Sequence, residues 1–216
     1  RYNPLNAENL DYMLNDQRLR LKYRKGIDLN VDLLRKKITD AGISYKNIYA
    51  ILMDYFREES GKDIWGEFAG LQWREVPIFL DFFQEGKVIH TYRDPRGVFA
   101  SWKKLSSITN NAYLNCLFNW VDSTNHVQKY KRILSENKYY ANKYENIMSD
   151  PKKYVTKLIN FIGVEIDNIL FEPERWSDTF NPNLVTVPRS AHDGDGILGY
   201  STKRVNNWKK NLEDWE

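Results

Sequence analysis

The sequence contains a single cysteine, Cys116, and three histidines among 216 residues. One cysteine cannot form an internal disulfide, which favours a reducing compartment, and we expect a cytoplasmic protein. Cys116 lies in an apolar run and is expected in the core. The histidines, His90, His126 and His192, show no metal-ligand spacing, so no metal site is predicted. No apolar run approaches the ~18 residues of a membrane span, so no membrane span is predicted.

Charges of one sign are also not concentrated in any part of the sequence. Lys and Arg total 32 against 29 Asp and Glu, and both signs are scattered along the chain. This distribution does not resemble the concentrated basic surface of a nucleic-acid-binding protein, so no such partner is predicted, although a local anion site is compatible with it. The 42% hydrophobic and 28% charged shares are typical of one globular domain, which we assign to residues 1–216.

The first sixty residues have the periodicity of helices. Apolar residues recur at helical spacing over 5–24, 31–38 and 48–59. In the second of these segments Leu33, Leu34 and Ile38 are expected on one buried face. The helices match no site signature, and we interpret residues 1–60 as a packing or acceptor-side region.

Two strands, each followed by a helix, are predicted further along the chain. Residues 87–92 are rich in β-branched and aromatic types and lead through a Pro-Gly turn into a helix. A second strand is expected over 138–144, before a helix that begins at Asp150-Pro151 and ends at Gly163. A last helix is predicted over 201–212. This order predicts an α/β fold that is rich in helix, with a parallel sheet flanked by helices.

The turn after the first strand carries the clearest signal of a site. An arginine at the carboxyl end of a parallel strand points into the crevice where open α/β sheets bind ligands, and its planar guanidinium suits a phosphate. Arg93 has that position, and Ser101 follows two helical turns later, where its hydroxyl can reach the same anion. The alternative is that Arg93 caps its own turn through Asp94 and that Ser101 is a solvated helix residue.

This segment resembles the 3′-phosphate-binding motif of the sulfotransferase family that uses 3′-phosphoadenosine-5′-phosphosulfate (PAPS), in which an Arg and a Ser at this spacing hold the 3′-phosphate. Residues 144–151, Tyr-Glu-Asn-Ile-Met-Ser-Asp-Pro, and the following helix that ends in Phe-Ile-Gly are similar to the family's second signature. In the family, the tyrosine of this signature lies beside the adenosine of the cofactor. The resemblance therefore implies that Tyr144 contacts the nucleotide; the alternative is a core tyrosine at a strand end.

A third segment, 199–210, is similar to the C-terminal stretch of the family, whose basic residues reach the cofactor phosphates. Lys203 and Arg204 are nearest to the expected charges, and a solvated basic helix is the alternative. The three segments stand in the family's order. The resemblance implies a sheet like that of phosphate-loop NTPases, with residues 63–212 as the nucleotide-binding region.

Two departures from the family concern catalysis. A Pro-x-Ser-Gly-Thr-Thr-like loop, which wraps the 5′-phosphosulfate in the family, is absent before Trp65. The chain starts at Arg1 without a methionine, and we expect the N-terminal part to be truncated. Residues 65–70 resemble the family's Trp-Gly-Glu-Lys-Thr-Pro stretch, with Phe68 in place of the lysine that would stabilise charge on the sulfuryl group.

Two residues are predicted to act on the acceptor. Glu67 is retained in the family-like stretch and is the expected general base for an acceptor hydroxyl; the alternative is a carboxylate that caps a helix or pairs with an arginine. His192 lies in a long polar stretch and is expected to face the acceptor pocket. The predicted reaction moves a sulfuryl group from PAPS to a hydroxyl, less readily an amine, of a small-molecule or carbohydrate acceptor and leaves 3′,5′-diphosphoadenosine (PAP). A nucleotide-binding module without turnover is the competing hypothesis.

Overall fold

A computed structural model describes residues 5–25, 28–105, 112–179 and 199–214. The described residues form two compact units, the first up to residue 68 and the second from residue 69. None of the described helices is long and apolar enough to cross a membrane. Within the same ranges, no group of His, Cys, Asp and Glu residues could hold a metal ion.

The first unit consists of three helices, α1 (Ala7–Lys25), α2 (Val31–Ala41) and α3 (Tyr45–Glu59). Each of the last two begins at a residue whose side chain caps the helix: Asn30 accepts a hydrogen bond from the amide of Leu33, and Ser44 accepts one from Asn47. Side chains from all three helices and the α1–α2 connection form a common core, namely Leu10, Leu14, Leu29, Val31, Leu34, Ile38, Ile48 and Tyr55.

One expectation for α2 was wrong. Leu33 is 40% exposed, whereas Val31, Leu34 and Ile38 are buried. The buried residues recur at spacings of three and four, which is one face of an α-helix. Leu33 is adjacent to Leu34 in sequence and therefore points about 100° away from that face.

The second unit is built around a parallel pair of strands, β1 (Val88–Tyr92) and β2 (Tyr139–Lys143). In their register Val88 lies opposite Tyr139 and Tyr92 opposite Lys143. The other elements are helices, in chain order α4 (Val76–Phe82), α5 (Pro95–Leu105), α6 (Ala112–Ile133), α7 (Tyr144–Ser149), α8 (Pro151–Ile162), α9 (Thr202–Val205) and α10 (Trp208–Asn211), with short 3₁₀ helices at Trp73–Glu75, Asn168–Phe171 and Pro173–Thr179. The prediction of a helix-rich α/β fold with a parallel sheet is confirmed.

Helix α8 has the ends that the sequence predicts. The Asp150 side chain accepts a hydrogen bond from the amide of Lys153, and Gly163 ends α8 with φ at 90°. Lys87, just before β1, donates from Nζ to the carbonyls of Phe161 and Ile162 at 2.8 and 2.9 Å. A cation at the C-terminal end of α8 thus ties this helix to the start of the first strand.

Two boundaries differ from the expectation. The second strand ends at Lys143 because Tyr144 begins α7. The predicted C-terminal helix is two short helices, α9 and α10, with Asn206 and Asn207 between them. Asparagine favours helix ends, since its side chain competes for backbone hydrogen bonds. Here the side-chain oxygen of Asn207 instead accepts a hydrogen bond from the side chain of Asn211 at 3.0 Å.

A buried histidine lies on the face of β1 that packs toward α6. His90 is 8% exposed. Its Nε2 lies 2.9 Å from the Ser123 hydroxyl and its Nδ1 lies 2.7 Å from the Tyr139 hydroxyl. The ring is also stacked on Trp73, with 6.3 Å between centroids. Burial, together with the nearby His126, lowers the pKa of His90 from 6.5 to about 4.

We predict that acid destabilises the second unit through His90. Between pH 6.5 and 4 the unfolded chain binds a proton that the folded chain excludes, so the free energy of unfolding falls as the pH falls through this window. The loss at pH 5, relative to pH 7.5, should be on the order of 1–2 kcal/mol. Urea unfolding followed by tryptophan fluorescence at the two pH values measures it.

The matched variant is His90→Gln, whose amide keeps one donor and one acceptor but does not titrate. The pH-dependent loss should be clearly smaller in this variant. An equal loss in both proteins would show that other groups are responsible.

Candidate functional site

The carboxyl ends of the two strands bring Arg93 and Tyr144 together. Arg93 directly follows β1, and Tyr144 directly follows β2. Because the register sets the last residues of the strands opposite each other, the next residues leave the sheet at the same edge. The Arg93 guanidinium carbon lies 4.2 Å from the centroid of the Tyr144 ring. This is a cation–π contact across the two strand ends.

Ser101 meets the same guanidinium from α5. Nη1 of Arg93 donates a hydrogen bond to the Ser101 hydroxyl at 3.2 Å, and that hydroxyl donates to the carbonyl of Gly97 at 3.0 Å. Ser101 is partly buried. The structure thus brings together the two residues that the sequence separates by eight positions, since eight positions are about two turns of helix. That both hold one anion stays a prediction.

The alternative for Arg93, a cap of its own turn through Asp94, was wrong. The Asp94 carboxylate pairs instead with Arg96, at 2.8 Å between Oδ2 and Nη2. The hydrogen bond from Arg96 holds the pKa of Asp94 below its ordinary value. Asp94 thereby stabilises the first turn of α5, and the Arg93 guanidinium contacts Ser101 and the Tyr144 ring instead.

The C-terminal segment contributes to this cluster through its backbone. Nη2 of Arg93 donates to the main-chain carbonyl of Arg204 at 2.9 Å, and Nη1 of Arg204 donates to the carbonyl of Gly199 at 2.9 Å. Lys203 is exposed, and its amide donates to the Ser201 hydroxyl. No hydrogen bond or ion pair joins the Lys203 side chain to another described residue. Of the two predicted basic residues, Arg204 is thus in contact with Arg93 and Lys203 is not.

A small pocket opens beside Arg93 and Ser101. Its other lining residues are Gly97 and Ala100 of α5 and three residues of the C-terminal segment, Asn207, Trp208 and Asn211. A Cβ atom at Gly97 would lie 2.7 Å from Nε of Arg93, so only glycine leaves room for the guanidinium as it stands. Nε itself is buried and has no hydrogen-bond partner among the described residues. An unpaired buried donor is costly, and an anionic oxygen would satisfy it once the guanidinium moved away from Gly97. A guanidinium beside a serine hydroxyl is a donor set that suits a phosphate group.

Two side chains that the sequence did not single out hold the backbone next to Arg93. Trp120 of α6 donates from Nε1 to the Arg93 carbonyl at 2.7 Å. The Asp94 amide donates to Oε1 of Glu145 at 2.9 Å. Glu145 stands inside the second signature, beside Tyr144, which was a usable signal. Trp120 carries no such signal, because only the three-dimensional structure relates α6 to the end of β1.

The last helix packs on α5 through a second cation–π contact. The Arg96 guanidinium carbon lies 3.9 Å from the centroid of the Trp208 ring. Arg96 is exposed, and its charge is also paired with Asp94. The residue thus connects the first turn of α5 with α10, which lines the pocket.

The predicted base belongs to the first unit. Glu67 is exposed, and its Oε2 accepts a hydrogen bond from the Tyr49 hydroxyl of α3. The Tyr49 ring packs edge-on against Trp65, with 5.7 Å between centroids. The described partner of Glu67 is therefore a tyrosine, neither an arginine nor a helix end. Phe68 is 94% exposed, and the predicted acceptor residue His192 lies outside the described residues.

Comparisons with known proteins agree with the fold. Residues 8–168, more than half of the chain, match a family model described as "Sulfotransferase family". The sulfotransferase domain from the olefin synthase of Synechococcus PCC 7002 is 21% identical, with a TM-score of 0.56 over 96% of this chain and 70% of that one. The sulfotransferase domain from the curacin biosynthetic pathway is 17% identical, with a TM-score of 0.59 over 97% of this chain and 74% of that one. At these identities the likeness shows the fold alone, and no curated protein sequence matches the chain.

We predict that Arg96→Ala loosens the C-terminal segment. Loss of the contact with Trp208 should raise amide hydrogen exchange in residues 202–212 by about 2- to 5-fold. Asp94→Asn weakens the ion pair but keeps the cation over the ring, so it should have a much smaller effect. Arg132→Ala removes an exposed arginine from α6 and serves as the control. Unchanged exchange in the Arg96 variant would mean that other contacts hold α10.

Proposed function

This chain belongs to the sulfotransferase family, and from this premise we propose that it transfers a sulfuryl group from PAPS to a hydroxyl, or less readily an amine, of an acceptor. The observation that supports the proposal most is the convergence of Arg93, Ser101 and Tyr144 at the carboxyl edge of the parallel sheet. PAPS supplies the sulfuryl group. The chain's own residues bind the nucleotide, orient it and remove a proton from the acceptor.

Arg93 and Ser101 are proposed to hold the 3′-phosphate. A guanidinium has five N–H groups, and among the described residues two of them have partners, the Ser101 hydroxyl and the Arg204 carbonyl. The other three N–H groups have no hydrogen-bond partner among the described residues, and a phosphate oxygen reaches the buried Nε only if the side chain moves away from Gly97. The Ser101 hydroxyl can turn from the Gly97 carbonyl to the same anion, because a hydroxyl proton rotates freely.

Tyr144 is proposed as the contact for the adenosine. The Arg93 guanidinium already covers one face of its ring, so the opposite face or the ring edge must make this contact. Arg204 and Lys203 are proposed to add positive charge near the phosphates. Arg204 also fixes the orientation of Arg93 through its carbonyl, while the exposed Lys203 has freedom to approach a phosphate.

For the transfer step we propose Glu67 as the general base and His192 as a residue of the acceptor pocket. A hydrogen bond from Tyr49 orients the Glu67 carboxylate and leaves its other oxygen for the acceptor proton. A small molecule or carbohydrate is the proposed acceptor, and the cytoplasm is the proposed compartment. Residues 1–216 are proposed to work as one functional domain.

A second candidate function is nucleotide binding without transfer. Phe68 occupies the position of the family's lysine, and a phenyl ring cannot stabilise charge that develops on a sulfuryl group. This observation favours a module that binds PAP and PAPS but does not consume PAPS. Incubation with labelled PAPS and a panel of sugar and phenol acceptors separates the two functions, because only the enzyme forms a labelled acceptor.

We predict that Arg93→Ala weakens the binding of PAP by about 10- to 150-fold, since a hydrogen-bonding charged group contributes ~1.5–3 kcal/mol. Isothermal titration calorimetry of PAP into the two proteins measures the change. Lys152→Ala removes one positive charge from an exposed position of α8 and should leave the affinity unchanged. If the folded wild-type chain does not bind PAP, the proposed nucleotide site is wrong.

We also predict that Gly97→Ala weakens PAP binding by about 10-fold without loss of stability. The new methyl group would lie 2.7 Å from Nε of Arg93 and must displace the guanidinium. Displacement of the guanidinium costs its contacts with Ser101, Tyr144 and the Arg204 carbonyl, whereas alanine is more favourable than glycine inside a helix by about 1 kcal/mol. These effects oppose each other, so the melting temperature should change little. In an Arg93→Ala background the same substitution should have no further effect on affinity. Wild-type affinity in Gly97→Ala would show that the guanidinium position does not matter for binding.

A further inference from the structure

We infer that Glu145 is a positioning residue that fixes Arg93 for anion binding, an inference that rests on the proposed nucleotide site. The feature concerned is one peptide unit, the carbonyl of Arg93 and the amide N–H of Asp94. This unit follows the last residue of β1 and precedes α5, so neither the strand ladder nor the helix supplies its hydrogen bonds. Its partners in this structure are two side chains.

Both ends of this peptide unit are held, and by different helices. Trp120 of α6 donates to the carbonyl oxygen at 2.7 Å, while Glu145 of α7 accepts from the amide at 2.9 Å. In a trans peptide the oxygen and the hydrogen point in opposite directions, so hydrogen bonds hold the peptide plane from two sides. A peptide plane that cannot rotate fixes ψ of Arg93 and thereby the direction in which its side chain leaves the backbone.

Glu145 also relates the two residues of the cation–π contact. It is the neighbour of Tyr144 in sequence, and its partner Asp94 is the neighbour of Arg93. The hydrogen bond from the Asp94 amide therefore joins the beginning of α7 to the turn after β1, next to the place where the guanidinium lies 4.2 Å from the tyrosine ring. Removal of the carboxylate frees the turn that carries Arg93.

The charge of Glu145 is unfavourable for an anion site, which makes its backbone role the simpler account of its presence. A carboxylate near a bound phosphate repels it. In addition, Oε2 of Glu145 is buried and has no hydrogen-bond partner among the described residues, a costly arrangement. Both costs are compatible with a residue whose useful atom is Oε1. If Oε2 instead accepts a hydrogen bond from the nucleotide, Glu145→Gln should lose as much affinity as Glu145→Ala.

The test compares Glu145→Ala with Glu145→Gln, because the amide oxygen of glutamine can still accept from the Asp94 amide. We expect Glu145→Ala to weaken PAP binding by about 10-fold and to raise hydrogen exchange at the Asp94 amide, whereas Glu145→Gln should restore both. In an Arg93→Ala background Glu145→Ala should cost no further affinity, since it acts through the arginine. Calorimetry and amide exchange supply the two readouts.

Three results would overturn the inference. Unchanged hydrogen exchange at the Asp94 amide in Glu145→Ala would show that the hydrogen bond to Glu145 does not hold the turn. Additive losses with Arg93→Ala would show an independent effect. A loss in Glu145→Gln equal to that in Glu145→Ala, with Asp94 still protected, would make Glu145 a direct ligand contact. If wild-type protein fails to bind PAP, the nucleotide proposal falls, while exchange at Asp94 still decides whether Glu145 positions the turn.

Discussion

The parallel pairing of β1 with β2 is the constraint on which the site depends. Arg93 and Tyr144 are 51 positions apart in sequence and become neighbours only because the register sets Tyr92 opposite Lys143. A slip of one residue would turn every side chain of a strand to the opposite face of the sheet and would separate the guanidinium from the ring. The hydrogen bonds of the ladder therefore determine where Arg93 and Tyr144 lie relative to each other.

The guanidinium of Arg93 is held before any anion arrives. A ring, a hydroxyl and a main-chain carbonyl contact it, and each comes from a different element of the second unit. A group that is already ordered loses less conformational entropy on binding, so more of the interaction with a phosphate is available as affinity. Gly97 is part of the same arrangement, because the absence of a side chain there lets the guanidinium lie against α5.

The sequence predicted the contacts that are local and missed those that depend on packing. The helical period places Ser101 on the side of α5 that meets Arg93, and the capping residues Asp150 and Gly163 predicted the ends of α8. The stacking of Tyr144 on Arg93 was out of reach, because it requires the strand register. Trp120 was missed for the same kind of reason, since its partner, the Arg93 carbonyl, is distant in sequence. Glu145 was missed although it stands in the second signature, because only the structure shows that it bonds to the Asp94 amide.

In our proposal nucleotide affinity and sulfuryl transfer depend on different residues, so support for one function is not support for the other. The groups assigned to the nucleotide belong to the second unit, and they would serve a binding module as well as an enzyme. Glu67 is different. An exposed carboxylate is already solvated, and a hydrogen bond from Tyr49 adds little stability there but restricts its orientation. A restricted orientation is what a general base requires, because proton transfer depends on distance and alignment. The Tyr49–Glu67 contact is compatible with the base that we propose, whereas Phe68 requires that the cation for the transition state come from another residue.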